Sequence, residues 1–374
     1  MKKKKNLSAY LRDFVMLIVL FAVVAVFAIL GPVVADRNFL AIQNLLNILS
    51  QNAYLIILGI GITFIMLGGA MDLSTGFLIS TVGIIVALVD LSTNFVLAVI
   101  VGLAAAVVLS TFNGLMYSWL KVFPFIITLG TQYMLNGATY LLSGGQTKTY
   151  MGLSDGFKVL GGFNIPFLGG NLKSGVLVMI LMVIIGSFIL NKTHFGRNIY
   201  ALGSNPEAVA LSGVSVAKMR IAIFALAGLF FGIAQMVNIG RLSCTVNNSM
   251  GLGDEFIVMA GCMLGGIKMG GGGGKMSNMV IGVLIIGVLN SGMNFLNMNQ
   301  YWKYVVLGIA LLAAITLDTM QTRAAANAAK KVSAPVVKEE RQSNSYIAKE
   351  RLNRAVLFLS PTQKNTPEDS EVFF

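Results

Sequence analysis

Amide side chains recur at helical spacing inside the long apolar stretches of the sequence. An amide offers hydrogen-bond donors and acceptors together, so a set of such side chains suits a neutral polyhydroxyl solute. The same groups also suit interhelical hydrogen bonding, because a buried amide needs a partner. Both interpretations stay open, and each set is expected to lie on one helical face. The sets are Gln132 and Asn136, Gln235 and Asn238, and Asn290, Asn294 and Asn297.

An acidic residue, Asp72, interrupts a stretch that is otherwise apolar. Before it, Gly68 and Gly69 favour the unwinding of a helix. Asp72 and Ser74 are residue types that cap a following helix. A carboxyl group is costly in lipid, so Asp72 is expected to face a cavity or to cap a broken helix. The alternative is a tight turn at the inner membrane surface.

A long polar connection, 191–220, separates two strongly apolar runs and carries its own short helix signal. The signal predicts a helix over Pro206–Ser212, with a capping side chain before it, a proline and an acid in its first turn, and a glycine suited to the left-handed conformation after it. So short a helix is marginal in water, so it needs a partner surface. A docking helix and an ordinary inter-helix loop are the two interpretations. The signal residues are Asn205, Pro206, Glu207 and Gly213.

The composition predicts the kind of secondary-structure elements that position these residues. Of 374 residues, 56% are hydrophobic and only 11% are charged, whereas a soluble domain has about 25% charged residues. The sequence therefore predicts an all-α polytopic membrane protein. The net charge of +12 comes from bases at segment ends and in the tail, so it indicates membrane orientation rather than nucleic-acid binding. One histidine and two cysteines favour neither a metal site nor a disulfide framework.

We expect about ten transmembrane helices, some of them discontinuous. The segment 254–268 is too short to span a bilayer, which takes roughly 20 helical residues, and is predicted to be a half-helix. The first segment is interpreted as a retained span, with a cleaved signal peptide as the alternative. The apolar segments are 14–34, 53–68, 73–91, 95–118, 124–142, 174–191, 219–240, 254–268, 277–296 and 301–318.

Lysine and arginine in the short loops predict the orientation. They place both termini in the cytoplasm, with a cytoplasmic N-terminus at 1–13 and a transmembrane domain at 14–318. The polar connection 191–220 is then cytoplasmic, and the Gly-, Ser- and Asn-rich loop 143–173 is external. The polar segment 319–374 lacks the apolar content of a core and is predicted to be a disordered cytoplasmic tail.

A glycine run, Gly270–Gly274, followed by Lys275, invites comparison with a phosphate-binding loop. The comparison fails, because the first glycine of that motif falls on Met269, and Met276 stands where a hydroxyl side chain would bind magnesium. The run is interpreted as a pliable inner loop. No catalytic motif is evident, so the chain is predicted not to be an enzyme, and ATP must act through another subunit.

Several motifs in order resemble the permease subunits of bacterial ABC importers for ribose, galactose and related sugars. Gly69–Ser74 resembles the family element G-G-x-D-L-S, with Ala70 in place of its second glycine. Gly196–Ala208 and Leu211–Val214 resemble the family's cytoplasmic coupling loop. Weaker matches follow in family order at Arg241–Ser243, Asp254–Glu255, Leu264–Gly266, Leu289–Asn290 and Tyr301–Trp302. After Leu264–Gly266, the residues Ile267–Met269 intervene before the glycine run, which departs from the family pattern.

The resemblance implies a multi-pass subunit of the bacterial cytoplasmic membrane. Its partners would be ATP-binding cassette subunits, a second permease copy or a paralogue, and an extracytoplasmic sugar-binding protein. ATP and Mg²⁺ would be bound by the cassettes, with no cofactor in this chain. The residues that would contact the cassettes are Gly196, Asn205, Pro206, Glu207, Ala208 and Gly213. The substrate-pathway candidates are Asp72, Gln132, Asn136, Gln235, Asn238, Asn290 and Asn294.

Two other functions remain open at this point. A sister permease of the same family would import a nucleoside or a branched-chain amino acid. A secondary transporter would use an ion gradient instead of ATP, with Asp72 as the coupling carboxylate.

Overall fold

The structure, a computed structural model, describes residues 7–299 and part of the chain beyond them. The further described positions are 301–302, 304–309, 312–313, 315–316, 319–320 and 348–350. The chain divides into two units, Met1–Asp318 and Thr319–Phe374. Most of the predicted tail 319–374, and the first six residues of the predicted N-terminal segment 1–13, lie outside the described residues.

The all-α prediction is confirmed, since the regular elements in the described part of the chain are α-helices, a π-helical turn and a few short strands. Seven of the described helices (α1–α4, α6, α9 and α11) are long and apolar enough to cross a membrane. The helices are α1 Leu7–Val34, α2 Ile42–Leu67, α3 Thr75–Ser92, α4 Phe95–Leu120, α5 Pro124–Leu142, α6 Gly175–Lys192, α7 His194–Ser204, α8 Pro206–Leu211, α9 Val216–Arg241, α10 Asp254–Leu264 and α11 Met276–Phe295. The strands are β1 Thr149–Tyr150, β2 Asn164–Phe167, β3 Gly170–Lys173 and β4 Val246–Asn247.

Helix α2 lies at the centre of the first unit. Every residue from Asn52 to Leu67 is buried, which fits a stretch that is apolar on all faces. Its glycines permit close neighbours, because the ring of Phe231 of α9 packs directly on Gly61. The helix begins about three turns before the predicted 53, because the polar side chains at its start, such as Gln43, bond to the β2–β3 hairpin rather than end the helix.

Glycines also allow close approach in two helix pairs, α4 with α9 and α10 with α11, as the sequence predicts. Gly228 and Gly232 of α9 lie against the backbone and small side chains of α4, and the Ser110 hydroxyl there donates to the Phe224 carbonyl at 2.8 Å. Gly261 of α10 lies against Gly282 of α11. Helix α10 is only 11 residues long, so the prediction that segment 254–268 is too short to span is confirmed.

The two ends of the bundle differ in kind. At one end the segment 143–173 forms structure that the sequence does not predict: β1 pairs with β4, β2 pairs with β3, and a π-helical turn covers Lys158–Gly162. At the other end lie α7, α8 and the glycine run. The order of the helices explains this division, because α2 starts beside the β2–β3 hairpin and ends beside α7.

The first helix packs on the rest of the bundle through aromatic rings. The ring centroid of Phe27 in α1 lies 5.5 Å from that of Phe39, which in turn lies 5.2 Å from that of Phe295 in α11. Aromatic pairs at such distances add to the area that they bury. Helix α1 is therefore an integral part of the packed unit.

Candidate functional site

The polar connection folds as two short helices, α7 and α8. The predicted helix forms as α8, which ends at Leu211 with Ser212 as its cap. The side chain of Asn205 accepts the Ala208 N–H at 3.0 Å, and Pro206 occupies the first turn. Gly213 has φ +84°, and the Val214 N–H returns to the Val209 carbonyl at 3.3 Å. Both ends of this helix are thus capped by local sequence.

Helix α7 is missing from the sequence prediction. Its cap is Thr193, whose hydroxyl accepts the Gly196 N–H at 3.1 Å. Gly196 lies directly against the end of α6, where a larger residue would overlap the Leu190 carbonyl. Buried Ile199 and Leu202 hold the helix on the bundle. A threonine before an amphipathic stretch is the signal that could have revealed it.

Helix α8 presents its surface outward. Pro206, Glu207 and Ala208 are exposed, and Leu211 is 89% exposed, whereas Val209 is buried. Most of the surface of α8 is therefore accessible to a partner. Five of the six coupling candidates lie along the exposed helix α8 and its two ends, namely Asn205, Pro206, Glu207, Ala208 and Gly213. The sixth, Gly196, lies in the first turn of α7, packed against the end of α6.

Three chain segments, one of them α7, meet closely at glycine residues. We name this the glycine junction: Gly69 after α2, Gly203 of α7, and Gly271 and Gly272 of the glycine run. The Gly272 N–H donates to the Leu67 carbonyl at 2.9 Å. An added Cβ at Gly203 would overlap that carbonyl oxygen and lie 2.5 Å from the Gly272 nitrogen. The end of α2, α7 and the loop before α11 are therefore in direct backbone contact.

A tyrosine of α7 fastens the same loop. The Tyr200 hydroxyl donates to the Gly274 carbonyl at 2.8 Å, and partial burial raises the pKa of Tyr200, which keeps the donor protonated. The glycine run is thus a packed, hydrogen-bonded part of the junction. The prediction that this run is pliable concerns its motion and stays a prediction.

Asp72 lies in the turn between α2 and α3 and is only 1% exposed. Its Oδ1 accepts from the Ser74 N–H at 2.9 Å, from the Ser74 hydroxyl at 2.6 Å and from the Asn113 amide at 3.5 Å. The prediction that Asp72 and Ser74 cap α3 is wrong in detail. Asp72 binds Ser74 instead, and the Ser74 side chain accepts no helix N–H. Asn113 of α4, which sequence reasoning missed, stabilises the turn from across the bundle.

Asn238 belongs to a buried polar network between the middle of α2, the end of α9 and the start of α10. Its side-chain oxygen accepts from Arg241 at 3.2 Å and 2.8 Å. The guanidinium of Arg241 lies 4.8 Å from the ring centroid of Tyr54, and the Tyr54 hydroxyl donates to Asp254 at 3.0 Å. Tyr54 has no signal in the sequence, because it sits in an apolar run. The network links an arginine to a carboxylate through an aromatic ring.

The Tyr54 hydroxyl provides a test of this network. Tyr54→Phe leaves a buried oxygen of Asp254 without its donor, so we expect a loss of about 1–3 kcal/mol of unfolding free energy. Tyr133→Phe removes the same hydroxyl from a side chain that is 71% exposed and is expected to change little. The midpoint of thermal unfolding in detergent measures both. Equal midpoints for the two variants would contradict the proposed contribution of the Tyr54–Asp254 hydrogen bond to stability.

Asn290 lines a cavity of about 400 Å³ between α10, α11 and the helical residues after 301. Asp254 contributes a carboxylate to its wall, and Phe256 and Tyr304 contribute aromatic rings. Aromatic faces beside a few polar groups are typical of small-molecule sites. Asn294 is exposed. Asn297 follows the end of α11 with φ +54°, so the prediction that it continues the same helical face is wrong.

The remaining amides lie elsewhere. Gln235 is fully buried against Gly83 of α3, and its nitrogen lies 3.1 Å from the sulfur of Met250. Gln132 and Asn136 are half-buried on α5, with side-chain oxygens that have no hydrogen-bond partner among the described residues. The amides therefore do not converge on one site. Asn290 borders the cavity, Asn238 is connected to Asp254 in its wall only through Arg241 and Tyr54, and the others do not line it.

The comparisons with known proteins agree on one family. Residues 44–315 match the family model described as the permease component of the branched-chain amino acid transport system. The chain belongs to this family. It is 30% identical over 342 residues to the galactose/methyl galactoside import permease protein MglC of Escherichia coli (strain K12), covering 85% of this chain and 97% of that protein.

Two further relatives carry the names of other sugars. The ribose import permease protein RbsC of Bacillus subtilis (strain 168) is 35% identical over 301 residues, which are 80% of this chain and 90% of that protein. The D-allose transport system permease protein AlsC of Escherichia coli (strain K12) is 31% identical over 321 residues, which are 85% of this chain and 95% of that protein. No solved structure matches the chain significantly. The family and the seven spans make this a multi-pass membrane permease subunit.

Proposed function

We propose that the chain is the permease of an ATP-binding cassette importer that carries a monosaccharide such as ribose, galactose or allose. The observation that carries the proposal is the exposed, doubly capped helix α8, joined through α7 to the glycine junction. The sugar names of the relatives support the substrate class. Two cassette subunits, a second permease and an extracytoplasmic binding protein complete the importer.

In this proposal α8 is a lever on the cytoplasmic side. Cassettes that close on ATP push the surface formed by Glu207, Ala208 and Leu211. Because α7 contacts the end of α2 and the glycine run through the backbone at Gly203, with the Tyr200 hydroxyl as a further link, the displacement is passed on with little side-chain rearrangement. The helices α2 and α11 then tilt together, and the permease changes its opening from one side of the membrane to the other.

The substrate pathway follows the polar groups near the opposite end of the bundle. The cavity beside Asn290 receives the sugar, with the carboxylate of Asp254 and the amide as hydrogen-bond partners and Tyr304 as a stacking face. A hydroxyl-rich solute satisfies donors and acceptors together, which an amino acid side chain of the branched type does not. Asp72, Gln132, Asn136, Gln235, Asn238 and Asn294 are proposed as further pathway contacts or as the polar groups that hold its walls.

Reconstitution tests the substrate and the energy source together. The chain is placed in proteoliposomes with its cassettes and binding protein, and uptake of labelled ribose, galactose, allose and leucine is measured with ATP or with an ion gradient alone. We expect uptake of a sugar, with ATP only. Asn290→Ala should lower that uptake about tenfold, whereas Ser291→Ala, beside it but outside the cavity, should not. Uptake of leucine, or uptake driven by the gradient alone, would contradict the proposal.

A further inference from the structure

A second cleft, of about 450 Å³, lies at the end of the bundle that carries α8. It is formed by the end of α4, the short turn before α5, and the first turn of α9. Its lining includes two basic residues, Lys121 and Arg220, and no acidic residue. Neither the proposed transport pathway nor the contact with the cassettes uses it.

The cations in this cleft lack protein counter-charges. Among the described residues, neither Lys121 nor Arg220 forms an ion pair. The guanidinium of Arg220 lies 4.1 Å from the ring centroid of Tyr117, which orients it, and its buried Nε has no hydrogen-bond partner in the described part of the chain. A buried donor on a charged group is costly to leave unpaired. The wall of the cleft carries two cations without a counter-ion among the residues that the structure describes, which favours a negatively charged ligand that accepts hydrogen bonds.

Backbone groups add to the same positive field. The first turns of α5 and α9 both border the cleft, through Pro124 and through Val216 and Ala217. The cap residue of α5, Phe123, makes no side-chain bond to the helix. Two helix N-termini and two cations therefore face one space, which favours an anion.

The position of the cleft relative to the membrane indicates which kind of anion can reach it. Helix α4 has 26 residues, enough to cross a bilayer, and the cleft lies where it ends. Trp119 and Phe123 beside it are 76% and 78% exposed, as aromatic side chains at a membrane–water interface are. The anion within reach at that depth is the phosphate of a phospholipid.

We propose that the cleft binds the headgroup of an anionic phospholipid, with its phosphate between Arg220 and Lys121. The bound lipid holds the turn between α4 and α5 against the start of α9, the helix that follows the α8 lever. A free phosphate ion would offer the same phosphate group to the cleft. Only the lipid also has acyl chains, which would lie on the exposed apolar surface of α4.

The test uses the full purified chain in lipid nanodiscs and counts retained phosphatidylglycerol and phosphatidylcholine by native mass spectrometry. We expect selective retention of phosphatidylglycerol. Arg220→Gln and Lys121→Gln should each reduce it about fivefold, and together about thirtyfold. Lys192→Gln, which removes an exposed base elsewhere on the same side, is the matched control. Arg220→Lys, which keeps the charge, should retain more than Arg220→Gln.

Fluorescence quenching of Trp119 gives a local measurement of lipid binding, in addition to the count of retained lipids. The chain has two tryptophans, so in a Trp302→Phe background Trp119 reports on the cleft alone. Brominated phosphatidylglycerol should quench it more than brominated phosphatidylcholine, and the double variant should remove the difference. Thermal unfolding midpoints verify that each variant is folded.

Several results would overturn the proposal. Equal retention of the two lipids would exclude a site selective for an anionic headgroup, and unchanged retention in a folded double variant would exclude a headgroup site at Arg220 and Lys121. Displacement by inorganic phosphate would show a site for the free ion. Loss of cassette binding with unchanged lipid retention would show that the cleft contacts a protein carboxylate instead.

Discussion

Gly203→Ala is expected to abolish ATP-driven sugar uptake while the chain still inserts in the membrane. An added methyl group would overlap the Leu67 carbonyl and approach the Gly272 nitrogen to 2.5 Å, so α7 must separate from the end of α2. Both obstacles are backbone atoms, which cannot rotate away. We expect uptake to fall by roughly a hundredfold, since overpacking of a close contact costs a few kcal/mol.

The matched control for this variant is Gly130→Ala. Gly130 lies inside helix α5 with no atom within 4 Å of an added methyl group. The same chemical change in an open helical position should leave uptake intact. ATP hydrolysis by the assembled complex is measured with each variant, because a broken junction leaves the cassettes attached but unable to drive transport. Normal uptake by a folded Gly203→Ala complex would contradict the role of the glycine junction.

Glu207→Arg is expected to stop uptake by a different route, at the surface of α8. Glu207 is exposed in the first helical turn, where its charge suits the helix dipole. Reversal of the charge costs under about 1 kcal/mol of helix stability, too little to unfold the protein. At a contact with another subunit it costs about 2–5 kcal/mol, so we expect uptake to fall at least tenfold and cassette binding to weaken.

The conservative variant Glu207→Asp keeps the charge and should retain most uptake. Gly213, with φ +84°, is the left-handed residue that terminates α8. Its deletion should also abolish uptake, because the end of α8 and its exposed surface would no longer be held in place. Co-purification of the cassettes measures the loss of contact directly. If Glu207→Arg binds the cassettes and transports as the unaltered chain does, α8 is not the contact.

The sequence predicts best what depends on local chemistry. The α8 helix follows from the Asn205 cap, Pro206 and Gly213, and each forms the bond or the dihedral angle that its type favours. The short α10 and the packing of Gly228 and Gly261 follow from length and from the spacing of small residues. These features need no knowledge of the rest of the chain.

Features that depend on distant segments could not be predicted in this way. Tyr54 and Asn113 gain their importance from Asp254 and from Asp72, which are far away in sequence. The glycine junction needs three segments together, so Gly203 alone has no signal. The predicted amides could not be assigned to one site for the same reason. Helical spacing predicts which amides share a helix face, but tertiary packing decides which faces meet. Of the predicted amides, only Asn290 borders the cavity.

The most direct test of the account is the side of the membrane on which α8 lies. Cys244 and Cys262 are buried, so Ala208→Cys, at an exposed position, provides the thiol that a reagent can reach. We predict that a membrane-impermeant thiol reagent added to intact cells leaves this cysteine unmodified and modifies it once the cells are opened. Modification in intact cells would place α8 outside, beyond the reach of any ATP-driven subunit, and would contradict the account.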